Sequence, residues 1–339
     1  MTNHEALMRR AMHMAETARI HARPNPWVGA VLVCTNGAVH EGATQSPGNA
    51  HAEIMALQSA AAAGDSTVGA TLYTTLEPCS HTGRTGPCTE AIISAGITHV
   101  VSAIADPDTK VAGTGFAALR AAGIEVTEGV CADGVSQQLA PYLHHRRTGR
   151  PFVMLKMATT LDARTAIPNG PRWLTGDIAR TRVHQLRAES DAILVGAGTV
   201  RDDNPELTVR LVDGPSPRRI VLSHNAIDSS AKVNPCTVWS DGLESLLDSL
   251  GDEGVLQLMV EGGPTVASAF HNQGLINQYV FHIAPIVSGN AEAPGVFIGD
   301  EQQELSHCAV VSTTALDDDV EIVLQPLQRK LEHHERIRS

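Results

Sequence analysis

No stretch of about 18 uninterrupted apolar residues occurs in this 339-residue chain, which excludes a simple membrane-spanning helix. Arg9, Arg10, His13, Glu16 and Arg19 interrupt any early apolar core, so no secretory signal is expected and the cytoplasm is the expected compartment. Cysteine is scarce: six residues, at 34, 79, 88, 131, 236 and 308, are too few and too scattered for a disulfide scaffold. Basic charge is in deficit. Lys and Arg number 25 against 37 Asp and Glu, a net charge of -12, which disfavours a general nucleic-acid binder. Only four of the basic residues are lysines, a ratio that carries no functional reading. What remains is ample: 42% hydrophobic and 18% charged residues suit a globular chain, and the length is about twice the ~150 residues of a typical domain, so two domains are expected.

The pattern of the first 130 or so residues alternates helix and strand. An amphipathic helix is expected over 4–19, a buried strand from Val28 to Val33, a helix over 52–63 and strands near 71–76 and 99–105 with a helix over 88–95 between them. Ala95-Gly96 and Ala122-Gly123 read as helix stops leading into strands. The run His-His-Arg-Arg-Thr-Gly-Arg-Pro at 144–151 reads as an exposed linker and marks the domain boundary. A second α/β series follows, with strands near 152–157, 191–196, 219–223, 256–260 and 278–285 and helices near 176–188 and 264–273. The expected fold is therefore α/β in two domains. The tail after about 327 is charged.

His51-Ala52-Glu53 opens a helix, and Glu77-Pro78-Cys79 leads through Gly83-Arg84-Thr85 to Pro87-Cys88 at the start of another. One imidazole and two thiolates suit zinc, and a catalytic zinc keeps a fourth position for water. The N-terminus of a helix favours the thiolate of Cys88. Glu53 need not ligate, yet can stand beside that water as a proton shuttle, the division of labour found in zinc deaminases. Eight residues separate the cysteines here, not the two of the usual deaminase signature. The competing reading is a structural zinc with His81 as fourth ligand, which leaves Glu53 without a role.

In the second half, an anionic dinucleotide needs helix N-termini after strands. Leu256 to Val260 running into Glu261-Gly262-Gly263-Pro264-Thr265 has that form, although such turns also serve tight packing. Gly196-Ala197-Gly198-Thr199 is similar, but neither is a Rossmann fingerprint. Gly113-x-Gly115-x-x-Ala118 fits the fingerprint formally and is rejected, because Asp106 to Lys110 separates it from the preceding strand. Lys156 sits mid-strand, where it is either outward-facing or functional. Arg187 and Arg210 suit a substrate phosphate, with surface salt bridges as the alternative.

These motifs, with Pro24-Asn25-Pro26-x-Val28-Gly29, Asp106-Pro107-Asp108, Trp173-Leu174-Thr175 and the Asp203 to Arg210 segment, resemble the bifunctional riboflavin-biosynthesis deaminase-reductases, the RibD/RibG family. The resemblance implies a zinc-dependent, cytidine-deaminase-like α/β/α domain over 1–146, a dihydrofolate-reductase-like NADPH-dependent domain over 150–327, and a tail over 328–339. The first would hydrolyse the 2-amino group of a diaminopyrimidinone ribosylamino 5'-phosphate; the second would reduce the ribosyl group of the resulting uracil to ribityl. It puts the zinc on His51, Cys79 and Cys88 and the shuttle on Glu53. Asn25, His81 and Asp106 would border the pyrimidine pocket. Ala158, Trp173, Thr199, Asp203 and Gly263, Pro264 and Thr265 through Ala269 fall near NADPH. Arg187, Leu207, Arg210 and Glu261 fall near the substrate, and Lys156, Asp203 or Glu261 would assist protonation. A homo-oligomer is also implied.

The chain departs from the family pattern at Pro171-Arg172 before Trp173, which removes a hydroxyl contact, and at Ser223-His224, which bears on the grip on the 2'-phosphate of NADPH. It departs again at Asn204, where a second Asp is usual. Two other readings remain at this stage: a deaminase of another nucleotide with a non-catalytic nucleotide-binding second domain, and a zinc-stabilised binding or regulatory protein.

Overall fold

The computed structural model describes residues 3–81, 86–108, 111–168, 170–298 and 305–327. Gly83-Arg84-Thr85 and the 328–339 tail lie outside them. Two compact units emerge: Met1–Phe152 with Glu244–Gln257, and Val153–Leu243 with Leu258–Ser339. No helix among the described residues is long and apolar enough to cross a membrane.

The first unit runs α1 (Asn3–Ala18), β1 (Gly29–Val33), β2 (Val39–Ala43), α2 (Ala52–Ala63), β3 (Thr71–Leu76), α3 (Cys88–Ser94), β4 (His99–Ile104), α4 (Thr114–Ala121), β5 (Glu125–Thr127), α5 (Ala132–Gln138) and α6 (Ala140–Thr148). Its sheet has the order β2-β1-β3-β4-β5. β1 is antiparallel to both β2 and β3, while β3, β4 and β5 are mutually parallel in sequence across the sheet. The inner strands are buried on both faces, hence the near-continuous burial of Leu72 to Leu76 and Val100 to Ala103. β2 escaped the sequence reading. Its Val-His-Glu-Gly-Ala is a mixed edge sequence, although the Asn36-Gly37 pair before it is a hairpin signal.

Gly42 on β2 is what lets α2 begin where it does. A Cβ there would lie 2.1 Å from the carbonyl oxygen of Ala52, so only glycine allows the start of α2, and with it His51, to rest on the strand. The polar run at 144–148 is not a linker but the end of α6, which stops at Gly149 in the left-handed conformation. His145 within it is buried and its Nε2 meets the carbonyl oxygen of Gly251 at 3.0 Å. The rejected glycine motif has a structural explanation. Glu77 accepts hydrogen bonds from the N–H groups of Asp106, Gly113, Gly115 and Phe116, holding the first turn of α4, and a Cβ on Gly115 would lie 2.1 Å from the carbonyl oxygen of Pro78.

The second unit contains β6 (Phe152–Thr159), α7 (Asp177–Ala188), β7 (Ala192–Gly196), α8 (Ala197–Asp203), β8 (Arg218–Leu222) and β9 (Thr237–Trp239). After α9 (Leu243–Asp252), most of which belongs to the first unit, come β10 (Gln257–Val260), α10 (Pro264–Asn272), β11 (Gln278–Ile283), β12 (Cys308–Leu316) and β13 (Asp319–Pro326). The eight-stranded sheet has the order β12-β13-β11-β6-β10-β7-β8-β9. The run β10-β7-β8-β9 is parallel, as is β11-β6, whereas β13 is antiparallel to β11 and β12. The closing hairpin of β12 and β13 was not foreseen, because β12 exposes most of its residues and so lacks the apolar alternation that announces a strand.

Candidate functional site

His51 stands at the N-cap of α2 and Cys88 opens α3, so both ends of the metal motif are helix starts, and Cys79 lies in the loop after β3. Nδ1 of His51 lies 3.6 Å from Sγ of Cys79 and 3.3 Å from Sγ of Cys88, and all three ligand atoms fall within 4.8 Å of one another. A tetrahedral zinc with Zn–S near 2.3 Å and Zn–N near 2.0 Å separates its ligands by roughly 3.5–3.8 Å, so the donor set fits in chemistry and spacing. A hydrogen bond from Cys88, then those from His51 and the Cys88 N–H, outweigh burial and hold the Cys79 thiol down to about 4. Cys88, the donor of that bond and itself buried, is pushed up. A bound cation replaces the proton the two sulfurs share.

Glu53, in the first turn of α2, is 4% exposed, and burial together with the Cys79 thiolate pushes its carboxyl up to about 7. It lines a cavity of ≈ 380 Å³ together with His51, Cys79, Asn25, His81 and Asp106. His81 borders this space but is not in the three-residue ligand cluster found among the described residues. Tyr142 and Arg146, which the sequence reading missed, also line the cavity, as does Asp108, which that reading had only as part of a motif. The Tyr142 hydroxyl meets both carboxylate oxygens of Asp106 at 3.1 Å. Burial raises Asp106 to about 6, against hydrogen bonds from the Asp108 N–H and Tyr142 that lower it. Tyr142 and Arg146 come from α6, far along the chain from the metal motif, and nothing local in the sequence announces them.

In the second unit a cavity of ≈ 1220 Å³ is lined by Lys156, Ala158, Trp173, Thr199, Asp203 and Gly263 to Thr265, with Arg187, Leu207, Arg210 and Glu261; of the stretch on to Ala269, Val266 and Ala269 line it and Ala267 and Ser268 do not. The corners after β7 and β10 open onto it, at the ends of parallel strands where α/β sheets hold ligands. Lys156 is not outward-facing. It is 6% exposed, and burial lowers its pKa, a tendency that Glu261 and Glu321 oppose and Arg187 reinforces.

Arg187 has a different first task from the expected phosphate contact. Its Nε and one terminal nitrogen hold Glu261 at 3.0 and 2.9 Å, and the other meets the carbonyl oxygen of Thr208 at 3.2 Å. Burial would raise Glu261, but Arg187 and Lys156 prevail and its carboxyl stays below the usual range. His184, one turn earlier on α7, accepts the Arg210 N–H at Nδ1 (2.9 Å) and so fixes the backbone of Arg210 at the cleft. That i, i+3 relation to Arg187 was a readable signal.

Behind Lys156 lies a second buried pair. Val280 pairs with Lys156 and His282 with Ala158, while His282 also faces Glu321 across β13, so these side chains share one sheet face. Nε2 of His282 meets Glu321 at 3.0 Å, and Arg182 meets the same carboxylate at 3.1 Å.

The departures from the family pattern also acquire local reasons. Asn204 ends α8 at φ 43°, a left-handed conformation asparagine tolerates, and its Oδ1 accepts the Lys232 N–H at 2.9 Å. Arg172 donates to the carbonyl oxygen of Asp203 at 3.0 Å and lies over the Trp173 ring. Ser223 closes a turn, donating to the carbonyl oxygen of Asn225 and accepting its N–H.

Comparison with known proteins covers both halves. Residues 1–104 match the family model described as cytidine and deoxycytidylate deaminase zinc-binding region, and residues 151–322 match that of the RibD C-terminal domain. A riboflavin biosynthesis protein RibD of Corynebacterium ammoniagenes is 42% identical, over 84% of this chain and 87% of its own. The structure of RibD from Acinetobacter baumannii superposes with a TM-score of 0.87 at 33% identity, covering 96% of this chain and 99% of that one. A diaminohydroxyphosphoribosylaminopyrimidine deaminase/5-amino-6-(5-phosphoribosylamino)uracil reductase from Thermotoga maritima gives 0.85 at 33% identity with the same coverage.

Proposed function

Because the chain belongs to the RibD family of bifunctional riboflavin-biosynthesis deaminase-reductases, we propose that its two cavities act in turn on one pyrimidine ribosyl phosphate. The zinc pocket removes the 2-amino group of 2,5-diamino-6-(ribosylamino)-4(3H)-pyrimidinone 5'-phosphate. The larger cleft then reduces the ribosyl group of 5-amino-6-(5-phosphoribosylamino)uracil to ribityl with NADPH. A lone deaminase with an inert second domain and a zinc-stabilised regulator give way to this reading, since the relatives match across both halves.

The observation that carries it is the cluster of His51, Cys79 and Cys88 with the buried carboxyl of Glu53 in the same pocket. Three protein ligands suit a catalytic rather than a closed site. Bound there, zinc supplies Lewis acidity that brings water to ionise near neutral pH. Glu53 accepts the proton of the attacking water and returns it to the departing nitrogen. A C–O bond forms, the C–N bond breaks and ammonia leaves. Asn25, His81 and Asp106 orient the heterocycle from the walls.

In the cleft, NADPH supplies the hydride to the anomeric carbon of the opened sugar. Lys156, Asp203 and Glu261 are the groups able to deliver the balancing proton, and Lys156, a buried amine on the cleft wall, is the foremost. Ala158, Trp173, Thr199 and Gly263 to Thr265 hold the cofactor; Leu207 and Arg210 hold substrate. The same reading makes the enzyme a cytoplasmic homo-oligomer with small-molecule partners only. Zinc-loaded protein given the diaminopyrimidinone phosphate should release ammonia without NADPH and consume NADPH only after deamination. Absence of ammonia from fully loaded protein would overturn the proposal.

A further inference from the structure

The zinc pocket raises a question of charge that the metal does not answer. Its substrate, on the reading above, carries a phosphate, yet the described lining contains four carboxylic residues, Glu53, Glu77, Asp106 and Asp108. Against them stands one permanently charged cation, Arg146. Each wall carboxylate already has a partner. Glu77 takes four backbone N–H groups, Asp106 takes the Tyr142 hydroxyl, and Asp108 lies 3.4 Å from Nε of Arg146.

Arg146 is held in place rather than loose. Its guanidinium carbon sits 5.0 Å from the centre of the Tyr142 ring, whose hydroxyl is fixed on Asp106, while Asp108 faces its Nε. A guanidinium has five N–H groups; with Nε toward Asp108 and one terminal nitrogen 3.4 Å from Nδ1 of His145, its remaining terminal N–H groups are able to grip oxygens of an anion. Graded exposure supplies the rest. Among the lining residues Glu53 is 4% and Asp106 7% exposed, whereas the Arg146 and Asp108 side chains are 29% and 26% exposed. A ring that reacts beside buried Glu53 can therefore direct its phosphate toward the more exposed guanidinium.

We propose that Arg146, braced by Tyr142 and Asp108, binds the 5'-phosphate of the deaminase substrate. This rests on the deaminase reading, and the test separates the two. Zinc-loaded wild type, Arg146→Ala and Arg146→Lys are compared on the diaminopyrimidinone riboside 5'-phosphate and on the same riboside without phosphate, following ammonia. Loss of a charge-assisted, bidentate contact should raise KM for the phosphorylated substrate roughly tenfold to a hundredfold in Arg146→Ala, with a smaller change in kcat. Arg146→Lys should recover part of that loss. On the riboside, the ratio of wild-type to variant kcat/KM should shrink to within about twofold, since the phosphate is what the guanidinium recognises. Ribose 5-phosphate should compete in the wild type and much less in Arg146→Ala. An equal loss on both substrates, or no loss on either, overturns the assignment while leaving the deaminase intact. A wild type that releases no ammonia overturns the deaminase reading and this inference with it.

Discussion

The zinc pocket takes its three ligands and Glu53 from residues 51–88, all at helix starts or the loop after β3, whereas the reductase cleft gathers Lys156, Arg187 and Asp203 from three separate elements and Glu261 from the loop after β10. The two sites also manage buried charge differently. The pocket's sulfurs and imidazole converge on a point where a cation belongs. The second unit instead balances charge among its own side chains: Arg187 on Glu261 in the cleft and, behind Lys156, Arg182 on Glu321, whose carboxylate also meets His282. A metal site can be encoded in a short stretch because its ligands need only reach one atom. A network of mutually neutralising groups exists only once a sheet has aligned them.

The sharpest way to break this contrast is to disable one site and watch the other. Glu53→Gln should cut ammonia release by about 10²- to 10⁴-fold, the usual worth of a general acid–base, while metal analysis still finds one zinc and NADPH is still consumed with the deaminated intermediate. Zinc lost with the carboxylate would make Glu53 a structural element instead.

In the cleft, Glu261→Gln leaves Arg187 buried without its anion and should destabilise the second unit by about 3–5 kcal/mol, read as a lower urea midpoint. The pH dependence has a definite sign. Glu261 has a lowered pKa, so its contribution is present above the ordinary carboxylate range and is lost as pH falls through its own lower pKa. Wild type should therefore lose stability in acid more steeply than the variant; parallel acid limbs would show that the pair contributes nothing.

A smaller effect belongs to packing. Gly115→Ala forces a methyl group against the Pro78 carbonyl and should cost about 1–3 kcal/mol, with the first unit affected and NADPH oxidation by the native fraction preserved. The smallest concerns the back of the cleft. Glu321→Gln removes one of two carboxylates that oppose the lowering of the Lys156 pKa, so the alkaline limb of the reductase rate should move to lower pH. An unmoved limb, measured with preformed uracil intermediate, would detach Glu321 from the lysine.

Much of the fold was legible because its inner strands are simple. Ala192 to Val195 is buried, as its apolar run suggests, and so is Leu72 to Leu76, rich in the β-branched and aromatic residues that favour strands. The failures have physical reasons too. β2 and β12 are edge strands with mixed composition, and the basic run at 144–148 is helical because buried Pro141, Tyr142 and Leu143 anchor α6 before it. At the sites, residue types in a recognisable order pointed to His51, Glu53, Cys79 and Cys88, and the resemblance pointed to the cleft. Tyr142 and Arg146, His282 and Glu321 carried no comparable signal, since an aromatic, a basic or an acidic residue in a helix or strand is ordinary in itself.

Ligand chemistry, charge balance and the order of motifs belong to the sequence, because the capacity of imidazole and thiolate to hold zinc is a property of the residues themselves. Which arginine serves a carboxylate, which lysine is buried and which tyrosine reaches a pocket built by distant strands were decided by tertiary structure alone. Those roles depend on desolvation and on distances of a few ångströms, and both come into being only when separated segments pack.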